Sequence, residues 1–515
     1  RISMSNNSAN NKRLAKNTMF MYIRMVLLMT IGLYASRVIL QTLGISDYGL
    51  YNVVGGVVAM FGFLNSTLST STQRFLNVEM GKGNSDSVKR VFSNALYLHL
   101  LLVIIVFFLA ETVGLWFLLN KLVIPEGRET AALWVYQFSI VAVCIQIFQL
   151  PFMSSIIAHE RMGIYAYVSI YEGLAKLGIL FVLQLVDYDK LFLYGALILA
   201  VQLSVAVIYN IYSRKSFEEA SFRISKDKGL FREMLGFSGW NIFGNLASVC
   251  NSQGLNIVLN LFFGTVINAA RGIAFQVHGL VTQLVNNFQL AVKPQVVKYY
   301  ASGQYEEMTA LVFNSAKYSA YLMMVVNIPL ILEIRPLLHL WLGEYPDYTP
   351  IFIGIILFRS VITSMTGNIV MVVHASGYLK KVGLYGGGVL LSVLPISYIL
   401  LRMGFSPVIP FIVNIFAALG EAFFELYWMC HYINFPMTRF YKEVYGRVFS
   451  LFAFLFAFSY LFKLCIQGCN EYIELLIVGF FSVCISLVTL YFFGINKDLR
   501  GKIKNMIIGK FKRNN

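Results

Sequence analysis

Two arginines lie inside the first long apolar segment of the chain, which covers residues 17–43. They are Arg24 and Arg37, and the segment contains no acidic residue that could pair with them. A guanidinium in hydrocarbon costs several kcal/mol, roughly 2.5–3.5 on insertion scales, and persists where it faces a watery cavity or meets an anion. Arginine also suits phosphate, because its planar fork of donors matches phosphate oxygens. The two residues therefore predict binding of an anionic group inside a membrane protein.

The spacing of these two arginines argues against a single clamp. They are thirteen residues apart, which gives about 20 Å of rise and different faces on a straight helix. Two interpretations remain. The arginines form successive stations along a path, or the helix bends near Gly32 and brings them together.

Other basic residues also fall within apolar segments, and their surroundings differ. Lys176 follows Glu172 by one helical turn in the favourable order, which predicts a local ion pair. Arg74 lies near the inner end of its segment, where it binds the anion or extends to lipid headgroups. The full basic set is Arg24, Arg37, Arg74, Lys176, Arg271, Lys317 and Arg359.

Three acidic residues are candidates for coupling to an ion, either a proton or sodium. Glu421 and Glu425 lie one turn apart on one helical face. They either neutralise Arg359, near the middle of another segment, or one of them binds a proton. Asp47, just past the outer end of the first segment, is placed to reach Arg37 or Arg271.

Amide side chains are concentrated in the seventh and eighth apolar segments. Amides are expensive on a lipid-facing surface, so they either bond between helices or line a hydrated cavity. Their density favours the cavity, in which amides suit sugar hydroxyls and arginines suit phosphate. The predicted cavity-lining amides are Asn245, Asn251, Gln253 and Asn286.

Composition places the chain among helical membrane proteins. Of its 515 residues, 58% are hydrophobic and 13% charged, whereas soluble proteins carry about 25% charged residues. Apolar runs long enough to cross a bilayer recur from end to end. We predict an all-α fold with fourteen spans, over residues 17–43, 48–77, 91–118, 131–157, 164–185, 191–212, 231–263, 267–298, 308–335, 349–375, 380–402, 407–433, 446–466 and 472–494.

The basic residues behind the net charge of +16 follow the predicted membrane topology. Lysine and arginine concentrate on alternate loops and in both termini, which predicts that the termini are cytoplasmic and the number of spans is even. The excess charge then faces anionic lipid headgroups. It does not predict a nucleic-acid partner.

An internal repeat divides the chain into two lobes. The sequence VFSNALY at 91–97 resembles VFNSAKY at 312–318, and Leu43-Gly44 resembles Phe263-Gly264, both about 220 residues apart. Six spans per repeat insert with the same orientation, which predicts a pseudo-two-fold axis along the membrane normal and a central cavity. The predicted cytoplasmic tail covers residues 1–16, the first lobe 17–212 and the cytoplasmic loop 213–230. The second lobe covers residues 231–433, the extra helix pair 434–494 and the basic tail 495–515.

Nothing in the sequence predicts catalysis. The chain has no nucleotide-binding loop, and its six cysteines and six histidines show no metal-ligand spacing. We therefore predict no cofactor and no metal. A membrane glycosyltransferase or ligase would need a catalytic residue on a sizeable outer loop, and the predicted outer loops are short.

The stretch LGISDYGLY at 43–51 resembles the LGxxxYGLY segment of bacterial polysaccharide-export flippases. These O-antigen flippase relatives belong to the multidrug/oligosaccharidyl-lipid/polysaccharide superfamily, together with lipid II flippases. The resemblance implies a monomer in the bacterial inner membrane that moves undecaprenyl-diphosphate-linked oligosaccharide to the outer leaflet by alternating access. It also implies that the arginines bind the diphosphate and that the last two spans hold the lipid tail. The alternative within the superfamily is a multidrug or cation exporter, which should carry an acid in its first helix.

Overall fold

The computed structural model describes residues 2–59, 63–81, 84–159, 161–221, 227–376, 379–466, 470–495 and 500–501. Side chains are described for most of these residues; the longer stretches without described side chains are 2–25, 63–67, 237–245 and 379–382. The described residues form helices and contain no strand, so the predicted all-α class is confirmed. The chain divides into two compact units, Arg1–Gly272 and Ile273–Asn515.

The helices are named in chain order. The helices up to the middle of the chain are α1 (Ile2–Ala59), α2 (Phe63–Gly81), α3 (Ser85–Leu109), α4 (Leu115–Asn120), α5 (Glu129–Ala158), α6 (Met162–Leu185), α7 (Lys190–Ser216), α8 (Lys228–Phe263) and α9 (Thr265–Ala301). They are followed by α10 (Tyr305–Leu332), α11 (Ile334–Leu342), α12 (Thr349–Ser376), α13 (Leu379–Arg402), α14 (Ile409–Ile433), α15 (Met437–Phe440), α16 (Arg447–Ile466) and α17 (Glu471–Thr489).

Within the described residues, twelve helical segments are long and apolar enough to cross a membrane. The predicted spans 48–77 and 267–298 are absent from these twelve, although both regions are largely helical. Their hydroxyl and amide side chains lower the hydropathy, and residues 60–62 of the first region lie outside the described part. The division between compact units falls within α9, not in the loop at 213–230. Units defined by packing need not follow a repeat, so the predicted domain boundaries remain a prediction.

Two glycines that the repeat matches to each other directly follow the predicted span ends at residues 43 and 263. Gly44 interrupts α1 with φ 77° and ψ 167°, and Gly264 separates α8 from α9 with φ 72° and ψ −166°. Positive φ favours glycine, which has no Cβ to clash with the backbone. The two positions matched by sequence therefore share one uncommon backbone conformation.

An ion-pair cluster joins three helices at one end of the first unit. Arg128, just before α5, donates from Nε to Asp47 Oδ1 at 2.9 Å and from Nη1 to Asp189 Oδ2 at 2.7 Å. Asp189 also caps α7 by accepting from the backbone N–H groups of Leu191 and Phe192. The cluster thus holds the chain beyond the Gly44 break against the first turns of α5 and α7. The interpretation that Asp47 reaches Arg37 or Arg271 is wrong, because Asp47 pairs with Arg128.

Replacing Arg128 with methionine should lower the free energy of unfolding by about 1–3 kcal/mol, because two partly buried carboxylates lose their shared cation. Thermal unfolding in detergent measures the change. The control is Lys190→Met, which removes an exposed lysine beside Asp189 and should change stability by less than about 0.5 kcal/mol. Equal melting temperatures for the two variants would contradict the structural role of the cluster.

The last two long helices attach to the end of α10 within the second unit. Phe462 of α16 stacks on Phe481 of α17 with ring centroids 3.6 Å apart. Lys463 Nζ donates to the Leu332 carbonyl at 2.6 Å and lies 3.1 Å from a carboxylate oxygen of Glu333, whose side chain is 2% exposed. The helix pair is therefore held by aromatic packing and by a largely buried ion pair.

Candidate functional site

Close packing in the first unit brings the part of α1 beyond Gly44 against α8 and α9. A Cβ built at Gly49 would overlap the backbone carbonyl of Thr265, so no larger residue fits without movement. A Cβ at Gly56 would lie 2.7 Å from Asn256 Nδ2. Absence of side chains at these two positions permits the backbones to approach closely, as small residues do between membrane helices.

A network of buried asparagines connects the same helices. Asn268 Nδ2 donates to the backbone and side-chain oxygens of Asn256 at 2.7 Å each, and Asn256 Nδ2 donates to the Asn52 carbonyl at 3.0 Å. Asn260 accepts from the Val123 backbone N–H at 2.9 Å and donates to Asn268 Oδ1 at 3.1 Å. These amides satisfy one another and the backbone, so for them the interhelical interpretation is correct and the cavity-lining one is not.

Arg271 lies one turn beyond Asn268 on α9 and is 5% exposed. Its Nη2 donates to the Ser252 carbonyl of α8 and lies 3.4 Å from the Ser252 hydroxyl. A buried guanidinium needs such oxygens to replace water. The contact fixes the position of this cation between two polar helices of the first unit.

The structure brings together only part of the predicted binding set. Asn251 and Gln253 flank Ser252, the residue that Arg271 contacts; Asn251 is 5% exposed and Gln253 is half-buried. Arg37 and Arg74 are exposed on α1 and α2. Asn286 is exposed on the part of α9 that belongs to the second unit, and the side chains of Arg24 and Asn245 lie outside those described.

The predicted acidic pair lies on α14. Glu425 is 5% exposed, and its Oε2 has no hydrogen-bond partner among the described residues. Arg359 Nε donates to the Asn414 carbonyl of α14 at 3.3 Å. Within the described residues no ion pair of 4.0 Å or less joins Arg359 to Glu421 or Glu425. A backbone carbonyl thus accepts a hydrogen bond from Arg359, while neutralisation of Arg359 by the glutamates and proton binding by one of them both remain predictions.

Two ion pairs show which contacts residue spacing in the sequence can predict and which it cannot. The predicted pair of Lys176 and Glu172 is confirmed, with Nζ and Oε1 2.6 Å apart. The partner of Asp47 was missed because Arg128 lies 81 residues away in sequence. The only sequence signal for Arg128 was its position immediately before a long apolar segment.

The fold is similar to those of solved membrane transporters and a flippase. A lipid II flippase, MurJ, in an inward closed conformation is 13% identical with TM-score 0.68, covering 93% of this chain and 99% of that one. An inward-facing multidrug resistance MATE family transporter of the MOP superfamily is 13% identical with TM-score 0.62, covering 81% and 96%. A mutant Vibrio cholerae MATE transporter, VcmN, is 14% identical with TM-score 0.56, covering 82% and 97%. No protein-family model and no curated protein matches the chain. The chain therefore has the two-lobe helical fold that these transporters and flippases share.

Proposed function

We propose that this chain is a flippase rather than an enzyme. Its substrate is an undecaprenyl-diphosphate-linked oligosaccharide, which it moves by alternating access from the cytoplasmic to the outer leaflet of the bacterial inner membrane. The observation that carries this proposal is the extent of the fold match. The lipid II flippase aligns with 93% of the chain and the MATE transporters with 81–85%.

The difference in coverage has a meaningful size. Going from 81–85% to 93% of 515 residues adds about 41 to 62 residues, which is comparable with the 61 residues of the predicted extra pair 434–494. An additional aligned length of this size supports a lipid flippase over a drug exporter. In the proposed mechanism the polyprenyl tail stays in lipid beside α16 and α17 while the glycan crosses through water.

The proposed diphosphate site is built around Arg271. A guanidinium already oriented by the Ser252 carbonyl loses little side-chain freedom when an anion binds, and such preorganisation favours affinity. Neighbouring amides would bind sugar hydroxyls. The proposed substrate-binding residues are Arg24, Arg37, Arg74, Arg271, Asn245, Asn251, Gln253 and Asn286.

The experiment is a sidedness assay in proteoliposomes. Fluorescent undecaprenyl-diphosphate oligosaccharide is incorporated, and the fraction accessible to a membrane-impermeant glycosidase is followed with time. We expect access to rise from about half to nearly all of the lipid, and protein-free vesicles to remain near half. Failure to flip, combined with uptake of a cationic dye by the same vesicles, would replace the proposal with a multidrug exporter.

Coupling to protons is proposed at Glu421 and Glu425, while Asp47 is omitted because Arg128 occupies it. Replacing Glu425 with glutamine should abolish stimulation of flipping by a pH difference across the vesicle membrane, since an amide keeps the shape but binds no proton. Glu306→Gln, at an exposed position in the same unit, is the control and should retain the stimulation. Unchanged stimulation in the Glu425 variant would assign coupling elsewhere.

A further inference from the structure

We propose that a cleft in the first unit binds one phospholipid with an anionic headgroup, held as a structural lipid and not as cargo. The cleft has a volume of about 490 Å³ and is lined by α3, α5 and α7. That volume falls within the range of pockets that bind small molecules. The site is separate from the residues proposed above to bind the transported substrate.

The cleft opens on a surface suited to contact with lipid. Its rim includes Phe107, Leu203 and Val207, which are 47%, 52% and 47% exposed. All three lie on helices long and apolar enough to cross a membrane. An opening between such helices is reached from the bilayer, so its natural occupant is a hydrocarbon chain.

Two amide side chains, Gln149 and Asn210, lie at the same depth in the otherwise apolar lining of the cleft. The Ser213 hydroxyl donates to the Phe152 carbonyl at 3.0 Å, which sets the register between α5 and α7. Gln149 and Asn210 each lie three residues before this contact, about 4.5 Å along the helix axes. Gln149 is 6% exposed, and its Oε1 has no hydrogen-bond partner among the described residues. The Oε1 atom needs a donor, which a glycerol ester lacks, whereas the amide N–H groups of Gln149 and Asn210 can donate to acceptor oxygens on whatever fills the cleft.

A cation lies at the inner end of the cleft. The guanidinium carbon of Arg214 is 6.0 Å from the ring centroid of Phe152, a lining residue, and Lys215 follows it in the last turn of α7. The acids that follow are already engaged. Glu218 pairs with Lys89 at 3.1 Å, and Glu219 accepts from Ser155 and lies 2.7 Å from His159 Nε2.

The order of these features is the order of groups in a phospholipid. A cation for the phosphate comes first, then amides at the depth of the glycerol esters, then apolar lining. From Phe152 to Val141 the lining of α5 extends eleven residues, about 16 Å, which accommodates most of an acyl chain. Polyprenyl phosphates have no carboxylic ester carbonyls to accept from the amide N–H groups, which favours the phospholipid. Basic pockets between membrane helices on the cytoplasmic side, where the charge bias places Arg214, bind anionic headgroups.

Native mass spectrometry of the delipidated full-length protein tests the proposal, with phosphatidylglycerol, phosphatidylethanolamine and undecaprenyl phosphate as separate probes. We expect one saturable phosphatidylglycerol per chain, bound at least fivefold more tightly than phosphatidylethanolamine. Equal binding of the two phospholipids would remove the role of the anionic headgroup. Tighter binding of undecaprenyl phosphate, lost in the cleft variants below, would overturn the assignment to phospholipid.

Three variants locate the binding. Arg214→Gln should weaken phosphatidylglycerol binding about tenfold, Gln149→Leu should weaken it severalfold, and Ala206→Trp, which fills the cleft, should abolish it. Arg232→Gln changes an exposed arginine of α8 in the same unit and is the matched control. If Ala206→Trp does not fold, the Arg214→Gln and Gln149→Leu variants alone test whether the lipid binds in the cleft. Unchanged binding in both would show that the lipid does not occupy this cleft.

Discussion

Replacing Arg271 with methionine should lower the flipping rate at least tenfold and leave the protein folded. Methionine is a long, flexible apolar side chain that can occupy the arginine position, but it offers no donor and no charge to a diphosphate. The Ser252 carbonyl also accepts within the α8 hydrogen-bond ladder, so its loss of Arg271 should destabilise the fold by only about 1 kcal/mol. The initial rate of glycosidase access in the proteoliposome assay measures the effect.

Two further variants separate charge from geometry at this site. Arg271→Lys keeps the charge but not the planar fork, so an intermediate rate is expected. Arg402→Met removes an exposed arginine from the last turn of α13 and should flip at the normal rate. A normal rate in the Arg271→Met variant, at equal melting temperature, would exclude Arg271 from the substrate site.

Replacing Gly49 with valine should prevent accumulation of folded protein. The new side chain would overlap the Thr265 carbonyl, and a backbone atom cannot move aside as a flexible side chain can. Overpacking of this kind typically costs 1–3 kcal/mol, and the overlap here places the expected loss at or above about 3 kcal/mol. Yield of monodisperse protein on gel filtration and its melting temperature measure the result.

Gly55 supplies a control on the same helix. A Cβ built at Gly55 meets no atom within 4 Å, so Gly55→Ala should be neutral or stabilise the protein by up to about 1 kcal/mol through helix propensity. Gly49→Ala should already destabilise, since its Cβ alone produces the overlap. Equal stability of the Gly49→Ala and Gly55→Ala variants would contradict the close approach of α1 and α9.

The asparagines of α8 and α9 show how far a polar pattern can be interpreted. Their density correctly marks a polar contact inside an apolar protein. It does not distinguish Asn256 and Asn260, which bond to backbone and to other amides, from Asn251 and Gln253, which flank the arginine contact. That distinction depends on which face each helix turns to its neighbours, and hydropathy does not encode it when several faces are polar.

The sequence by itself determined the helical membrane class, the pair of Lys176 and Glu172, and the ends of two spans just before Gly44 and Gly264. Each depends on neighbouring residues: apolar runs need only length, the ion pair needs one helical turn, and a positive φ needs glycine. Only the tertiary structure decided that Arg128 pairs with Asp47, that Arg271 contacts Ser252, and that α3, α5 and α7 leave a cleft. These contacts depend on how the helices pack. Packing brings together residues that lie far apart in the sequence, and nothing in the sequence pattern marks such residues as partners.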